Sequence, residues 1–445
     1  MPLRRQRAWC IEMLIVLAVA AFGAGIAYVS VPDVQGVMAA RSMNDSMSYL
    51  PAVMVATGHG FTEPASLEHP GLREFLAVER VSLPAQHIPP DVETVPPRPE
   101  IQGRLHLYLV GMIGWIWRWA GISWELFPWL IVGFYAEMGP LVYSNFRLGM
   151  SRTVSVPGVL LALVALSDQI PLQPALRVLS KAPFLLAILA MLGVMVAYRM
   201  RPGRRAAAAI ALGIITGVGV GFRVDVLVAV IPCLFLLCGA PATDAGGVLR
   251  NRFLPMLFFA ASFAVSAFPV LASLDEGGAE FPHNVVKGLA ATPHDKRIEI
   301  ERASYDHLPS GKDLLVHFAA RDYCYRVLPE YRDLLVYDHL APERAFLAET
   351  ARTFPADGAA RGLAATLRIV RGAQTNTLHG RWFGRIVLVC MAASFLLFSR
   401  LSLHRAWLVL LLLLYFCGYT CLQFEARHYF YLGFLPSWFL AFAAQ

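Results

Sequence analysis

The stretch GVGVGFRVDVLVAVIP at residues 217–232 decides the fold, because it sets Arg223 and Asp225 inside a long apolar run. Apolar runs of about 20 residues match the hydrocarbon core of a bilayer, and charged side chains within them are rare and usually functional. The two charges therefore predict a turn between two membrane crossings. Residues two apart on a helix do not face each other, so a structural pair of Arg223 with Asp225 is one interpretation among two. In the other, the forked guanidinium of Arg223 binds a phosphate.

Apolar stretches recur on both sides of this turn. Hydrophobic residues make up 57% of the 445 residues, charged residues only 16%, and the mean hydropathy is +0.54, so a soluble domain of this composition would aggregate. We therefore expect an all-α polytopic membrane protein. Its ten or eleven predicted crossings come from residues 9–31, 106–119, 125–145, 153–168, 183–198, 206–221, 224–241, 253–273, 384–399, 406–422 and 429–443.

Two long polar insertions interrupt the apolar stretches and define the predicted regions. Both insertions are too polar to cross a membrane and too long to be simple turns. The expected regions are a tail with the first crossing at 1–31, a first extracytoplasmic loop at 32–105, a transmembrane bundle at 106–273, a large extracytoplasmic loop at 274–383 and C-terminal crossings at 384–445. In the larger loop, residues 342–352 and 357–371 form two amphipathic patterns, the second with Arg361, Arg368 and Arg371 on its polar face. Such helices lie on the membrane surface or pack as a cap on the bundle.

The basic residues set the orientation. The net charge of +7 sits largely in short loops between apolar stretches, a distribution that fixes topology and predicts no nucleic-acid partner. Clusters at 199–205, 250–252 and 400–405 should all be cytoplasmic. With Arg147 and Arg152 also inside, the number of crossings between Asp45 and Arg147 must be odd, so we interpret the short stretch 106–119 as only partially inserted. The first stretch is expected to be a retained anchor, with a cleaved signal peptide as the alternative.

Ionisable residues gather at the expected outer edge of the membrane. Any one of the cations could be a snorkelling anchor, but their coincidence at one depth favours a site. The set is Asp45, Asp168, Arg177, Lys181, Arg223, Asp225, Arg427 and His428. The seven cysteines show neither a disulfide framework nor the spacing of a zinc site.

Several motifs, in this order, resemble those of the type C glycosyltransferases (GT-C), membrane enzymes that use polyprenyl-phosphate-linked sugars and include protein mannosyltransferases and lipid A aminoarabinose transferases. In many members of this family the first outer loop opens with an acid-containing motif, and MNDSMSYLPAVMVATGHGF at 43–61 is similar to it. Residues 103–128 are similar to an aromatic, Leu-rich stretch of the family. GVGVGFRVD at 217–225 is similar to a Gly-rich helix of the family that ends in Arg-x-Asp. RHYFYLGFLP at 427–436 is similar to a late Arg-aromatic element.

The resemblance implies a GT-C-like bundle and an inverting sugar transfer with Asp45 as general base. It implies that cations bind the donor phosphate, for which the candidates are Arg223, Lys181, Arg427 and Arg177. Other candidate substrate contacts are Asp225, His59, His69, His106, His428 and Tyr429. Where relatives often carry two adjacent acids, this chain has Asn44 before Asp45, so no metal and no tightly bound cofactor are predicted. The expected partners are the polyprenyl-phosphate donor, membrane lipid and a glycan, lipid or protein acceptor, on the periplasmic side of a bacterial inner membrane.

A flippase or transporter of a lipid-linked sugar is the main alternative function. It would also gather cations at one leaflet, but it should carry ionisable residues at mid-membrane, where Glu137 is the exception among almost uncharged stretches. A lipid phosphatase is disfavoured, because this sequence lacks a set of Lys and Arg with the paired catalytic histidines that a phosphohistidine route needs. A structural scaffold would leave the gathered charges unexplained.

Overall fold

The computed structural model describes residues 2–31, 46–97, 106–167, 176–198, 200–239, 248–274, 322, 326, 345–348, 350, 354–372, 378–423 and 426–445. Within these ranges the chain is helical apart from loops and two short antiparallel strand pairs. It is, as predicted, an all-α polytopic membrane protein. Two compact units divide it, one formed by Met1–Glu276 with Ala444–Gln445 and the other by Gly277–Ala443.

The first unit holds most of the described helices. They are α1 (Pro2–Ser30), α2 (Leu50–Thr57), α3 (Leu72–Leu76), α4 (Leu107–Ala120), α5 (Leu126–Arg147), α6 (Arg152–Ser167), α7 (Leu176–Leu179), α8 (Ala182–Ala197), α9 (Pro202–Phe222), α10 (Val230–Cys238) and α11 (Leu254–Leu274). The strands are β1 (Glu63–Pro64), β2 (Ser82–Leu83), β3 (Thr94–Val95) and β4 (Ile122–Ser123), with β1 paired to β3 and β2 to β4. Short 3₁₀ turns cover Ala85–His87 and Val224–Ala229, and a π-helical turn covers Leu249–Phe253.

Seven stretches of the described chain are long and apolar enough to cross a membrane. They are Ala8–Ser30, Leu126–Arg147, Leu176–Ala197, Pro202–Phe222, Leu249–Ala272, Gly380–Leu401 and Leu403–Leu422. Three shorter apolar helices fall at Arg152–Ser167, Val224–Cys238 and Phe430–Ala444. All ten coincide with predicted stretches. The eleventh predicted stretch is α4, whose 14 residues extend about 21 Å, less than the roughly 30 Å of a hydrocarbon core.

Helices α1 and α5 pack closely against each other along most of their length. A Cβ added at Gly139 would lie 2.5 Å from the carbonyl oxygen of Val19, and one at Gly23 would lie 2.6 Å from that of Tyr135. Because the numbers rise along one helix as they fall along the other, the two helices are antiparallel. Small residues let two backbones approach this closely, which is how helices associate where lipid offers no hydrophobic driving force.

Basic residues collect at one end of the first unit. Glu12 of α1 accepts from Arg147 Nε at 2.9 Å and pairs with Arg152, which ties the start of α1 to the end of α5 and the start of α6. Gly193, near the end of α8, packs on Leu148 at this same end. Arg205 lies at the start of α9, the helix that follows α8 along the chain. It donates to the carbonyl oxygens of Leu236 and Leu237, near the end of α10. We call this the basic end, defined by Arg147, Arg152, Arg205 and the neighbouring Arg252.

Helix α4 belongs to the opposite end. His106 precedes it and binds the carbonyl oxygen of Phe222, at the far end of α9 from Arg205. The start of α5, only a few residues after α4, lies where Trp129 contacts Tyr28 of α1, with ring centroids 5.7 Å apart. Since α4 begins and ends at the same end of the unit, only α5 runs from that end to the basic end within residues 106–147. The interpretation of residues 106–119 as a partially inserted segment stays a prediction.

An aromatic cluster fixes the C-terminal half of α4 against the first loop. Trp117 and Trp124 lie edge to face at 5.5 Å, and Phe75 of α3 stacks on Trp124 at 4.8 Å. Both indole nitrogens are satisfied, because Trp117 donates to Ser123 O at 2.9 Å and Trp124 donates to Phe75 O at 3.0 Å. The pairs are fully buried and anchor α4 through its apolar face.

A second close contact joins α9 and α11. Gly213 and Gly217 of α9, four residues apart, face Ser262 and Ser266 of α11, and any Cβ on either glycine would overlap a serine side chain or the α11 backbone. Each serine hydroxyl donates to a backbone carbonyl of its own helix, which satisfies it in an apolar setting. This packing fixes the position of α9 along α11 and therefore the position of Arg223, one residue beyond the end of α9.

The second unit contains α12 (Phe354–Arg371), α13 (Leu378–Leu401), α14 (Leu403–Gly418), α15 (Ala426–Tyr429) and α16 (Leu435–Ala444), with 3₁₀ turns at Tyr419–Gln423 and Phe430–Leu432. Helix α12 crosses α14 where Gly362 and Gly418 meet. Its Arg361, which we expected on the polar face of an amphipathic helix, is fully buried and bonded to Asp357. The prediction for Arg361 was wrong because it considered the charge of Arg361 alone, although Asp357 lies one turn earlier on the same face.

Candidate functional site

A cluster of charges lies at the turn between α9 and α10, at the end of the first unit that is opposite the basic end. Lys181, just before α8, donates from Nζ to Asp225 Oδ2 at 2.7 Å, and Arg223 donates from Nε to the same oxygen at 2.9 Å. The Lys181 side chain is 0% exposed, Arg223 is 13% exposed and Asp225 is 21% exposed. We call these three residues the charged turn.

The backbone explains how Arg223 and Asp225 meet although they are two residues apart. Arg223 ends α9 in an extended conformation, with φ −162° and ψ 127°, and the chain then enters the 3₁₀ turn Val224–Ala229. Side chains two residues apart point away from each other only on a continuous helix. The structural pair that the sequence left open therefore forms.

The three side chains of the charged turn do not balance one another. Two cations, Lys181 and Arg223, share the carboxylate of Asp225, so the charges of these three side chains sum to one positive charge. Besides Asp225, Arg223 contacts only the carbonyl oxygen of Arg177, at 3.4 Å from Nη1, among hydrogen bonds in the described ranges. Its Nη2 thus retains donors, and a guanidinium with spare donors in a partly buried setting is suited to bind a phosphate oxygen.

His106 lies beside the charged turn and is 7% exposed. Its Nδ1 is 2.8 Å from Phe222 O, and since a carbonyl only accepts, Nδ1 carries the proton. Burial, reinforced by the nearby charge of Arg223, lowers the pKa of His106 to about 4. The imidazole is therefore neutral at physiological pH, with Nε2 as an acceptor.

The remaining predicted residues of the first unit are placed differently. Arg177 lies in α7 and contributes its backbone carbonyl to Arg223. His59 uses both ring nitrogens within the first loop, towards Thr57 Oγ1 at 2.9 Å and Pro90 O at 3.3 Å, a structural role. His69 is half-buried in the turn before α3. The structure brings Lys181, Arg223, Asp225 and His106 together and does not add His59 to them.

Three predicted residues belong to the second unit. Arg427 lies in α15, where only its backbone is described. His428 is buried, and its carbonyl oxygen accepts from Tyr419 Oη at 3.4 Å. Tyr429 follows it, half-buried.

Sequence inspection missed a buried ion pair in this unit. Arg361 Nε donates to Asp357 Oδ2 at 2.6 Å, and Asp357 is 6% exposed while Arg361 is 0% exposed. The signal was available, because an acid and a base four residues apart in a helix lie on one face. Their apolar neighbours on that face, Ala365 and Ile369, would have placed the pair on the buried side.

Asp45, the predicted base, and Asp168 lie outside the described residues, just before Ser46 and just after α6. Within the described ranges, no group of three or more His, Cys, Asp or Glu side chains could hold a metal ion. The prediction of metal-independent chemistry stays a prediction.

Comparisons with protein-family models, curated proteins and solved structures give no match to this chain. The resemblance to type C glycosyltransferases therefore stays a prediction from sequence motifs.

Proposed function

We propose that this chain is a membrane glycosyltransferase of GT-C type that moves a sugar from a polyprenyl phosphate to a glycan, lipid or protein acceptor. The observation that supports it is the charged turn, where the charges of the Lys181, Asp225 and Arg223 side chains sum to one positive charge in a partly buried setting at the end of a membrane-spanning helix. The phosphate of a polyprenyl lipid lies at this depth, while its chain extends into the hydrocarbon. The site is on the periplasmic side of a bacterial inner membrane, opposite the basic end.

The reaction places distinct demands on these residues. Asp45 takes the proton of the acceptor hydroxyl as its oxygen bonds to the anomeric carbon, from the face opposite the phosphate. The bond from that carbon to the phosphate oxygen breaks, and the phosphate keeps the electron pair, so the configuration inverts. Arg223 stabilises the added negative charge, and its bond to Asp225 holds the guanidinium in place beforehand.

Lys181 supports the role of Arg223 through Asp225, which both cations bind. Its ammonium group is fully buried and bonded to Asp225, so it shares with Arg223 the neutralisation of that carboxylate. Removal of Lys181 would take one positive charge from the charged turn, and the attraction for a phosphate would fall. Lys181 thereby acts on the donor through Asp225 and not by contact.

The test is sugar transfer from a panel of radiolabelled polyprenyl-phosphate sugars, in membranes that contain the wild-type chain or a variant at equal amounts. Asp45→Asn removes the base in an isosteric change, and Arg223→Gln removes the charge that meets the phosphate. We expect each to lower transfer at least 100-fold, in line with the loss of a general base or of a charge-stabilising donor. Arg204→Gln, an exposed arginine at the other end of α9, serves as the matched control and keeps wild-type transfer.

Normal transfer by Arg223→Gln would remove the charged turn from the donor site. Normal transfer by Asp45→Asn would remove Asp45 as base. If the wild-type chain transfers none of the sugars, the transferase proposal fails.

One observation favours the alternative of a flippase or transporter. Glu137 lies midway along α5 with an exposed side chain, and it makes no ion pair with any described residue. Acids at such a depth usually line a polar path. Flipping of a lipid-linked sugar in proteoliposomes, lost in Glu137→Gln and kept in Asp45→Asn, would establish this function instead.

A further inference from the structure

His106 offers a hydrogen-bond acceptor next to the charged turn. Its Nδ1–H is held by Phe222 O at 2.8 Å, and Phe222 is the residue that precedes Arg223. The imidazole thus moves with the end of α9, and its tautomer is fixed. In the part of the chain that the structure describes, its Nε2 forms no hydrogen bond.

The position of His106 is built from several elements. It is the residue just before α4, whose first turn is anchored by Tyr108, which donates to Ser266 O of α11 at 2.6 Å. Tyr108 also packs on Gly221, where any side chain would overlap its ring. Helices α4, α9 and α11 therefore meet at this point and hold the ring of His106 in place.

The chemistry of Nε2 restricts what can bind there. An imidazole with its proton fixed on Nδ1 presents a lone pair at Nε2 and accepts a hydrogen bond. An ionised phosphate carries only hydrogen-bond acceptors, so it forms no hydrogen bond with the Nε2 lone pair. The neighbouring Arg223 opposes a second cation at this place, which leaves a neutral donor such as a hydroxyl.

We propose that His106 is a sugar-binding residue: its Nε2 accepts a hydrogen bond from a hydroxyl group of the sugar whose lipid phosphate lies on Arg223. The inference rests on the proposed function and deepens it, because it divides the donor between two neighbouring residues. Arg223 binds the phosphate, and His106 recognises the sugar. His106 is no proton acceptor in the reaction, since a neutral imidazole beside Arg223 is a weak base.

Two substitutions separate the two nitrogens. In His106→Asn, the side-chain amide takes the place of Nδ1–H and keeps the bond to Phe222 O, but nothing replaces Nε2. In His106→Gln, the longer side chain carries its amide to the place of Nε2 and gives up the bond to Phe222 O. The first variant should keep the thermal unfolding midpoint of the wild type, whereas the second should lower it.

Binding is measured with purified protein in nanodiscs and two probes, a short-chain polyprenyl phosphate that carries a hexose and the same polyprenyl phosphate without sugar. His106→Asn should weaken the sugar-bearing probe about tenfold, the effect of one lost hydrogen bond, and leave the sugar-free probe within about twofold. His106→Gln should bind the sugar-bearing probe more tightly than His106→Asn does. Arg223→Gln should weaken both probes alike.

The outcomes are distinct. If His106→Asn binds both probes like the wild type, or weakens both equally while its unfolding midpoint is unchanged, His106 does not recognise the sugar. If the wild-type protein binds neither probe, the proposed function fails, and the inference about His106 fails with it.

Discussion

Among single side chains, Asp225 is a strong test of the charged turn, because both of its cations bind the same carboxylate. Asp225→Asn would remove the carboxylate that the fully buried ammonium group of Lys181 binds, at a cost of about 3–5 kcal/mol. Lys181→Met should cost less, since Asp225 keeps Arg223 and the thioether fits an apolar environment. The check is the thermal unfolding midpoint of each variant in nanodiscs. Recovery in the Lys181→Met, Asp225→Asn double variant is expected, and a double variant as unstable as Asp225→Asn would contradict the pairing.

His106 gives the folded chain a specific dependence on pH. Its pKa falls from 6.5 to about 4 on folding, because burial and then Arg223 oppose the charged form. Between these values the unfolded chain binds a proton that the folded chain rejects, so stability is complete above pH 6.5 and declines as the pH falls towards 4. The loss attributable to His106 by pH 4 is about 3 kcal/mol. Unfolding midpoints from pH 7 to pH 4 should decline less steeply in His106→Asn; parallel profiles would show that the proton does not act there.

At the level of helices, the contact of α1 with α5 offers a matched pair of glycines. A Cβ at Gly139 would lie 2.5 Å from Val19 O, whereas one at Gly133, in the same helix, meets nothing within 4 Å. Gly139→Ala should destabilise the protein by about 1–3 kcal/mol through overpacking. Gly133→Ala should be neutral or stabilising by up to about 1 kcal/mol, because alanine favours the helix. Equal unfolding midpoints for the two variants would refute a tight α1–α5 contact.

Helix α4 should lie in the membrane–water interface on the side of the membrane opposite the basic end. Trp115 and Trp119 are exposed on one face, and Arg118 sits over the ring of Trp115 at 5.5 Å, a combination typical of a membrane–water boundary. Nitroxide labels on Trp115→Cys and Trp119→Cys, in a chain whose native cysteines are serine, should report a depth between two references. Val265, exposed in the middle of α11, marks the hydrocarbon, and Glu79, exposed in the first loop, marks water. A depth equal to that of Val265 would mean that α4 crosses the membrane.

For the molecule as a whole, apolar length predicted the ten apolar helical stretches that the structure describes, because crossing a bilayer requires about 20 apolar residues whatever their packing. The short extent of α4 was also predictable, since its apolar stretch holds only 14 residues. The pairing partners were not. Lys181 and Asp225 are 44 residues apart, and their contact depends on the break at Arg223, where an extended residue replaces a helical turn. For Arg361 a signal existed, because Asp357 lies four residues earlier on the same helical face, but the prediction considered the charge of Arg361 alone.

The bond of Glu12 to Arg147 has a consequence for how the chain is made. The two residues are 135 positions apart, so at roughly 5–20 residues per second the first helix waits about 7–27 s for its partner to leave the ribosome. Throughout that interval the carboxylate of Glu12 is without Arg147 and Arg152. A nascent chain that stops before Arg147 therefore lacks the two ion pairs that join the start of α1 to α5 and α6.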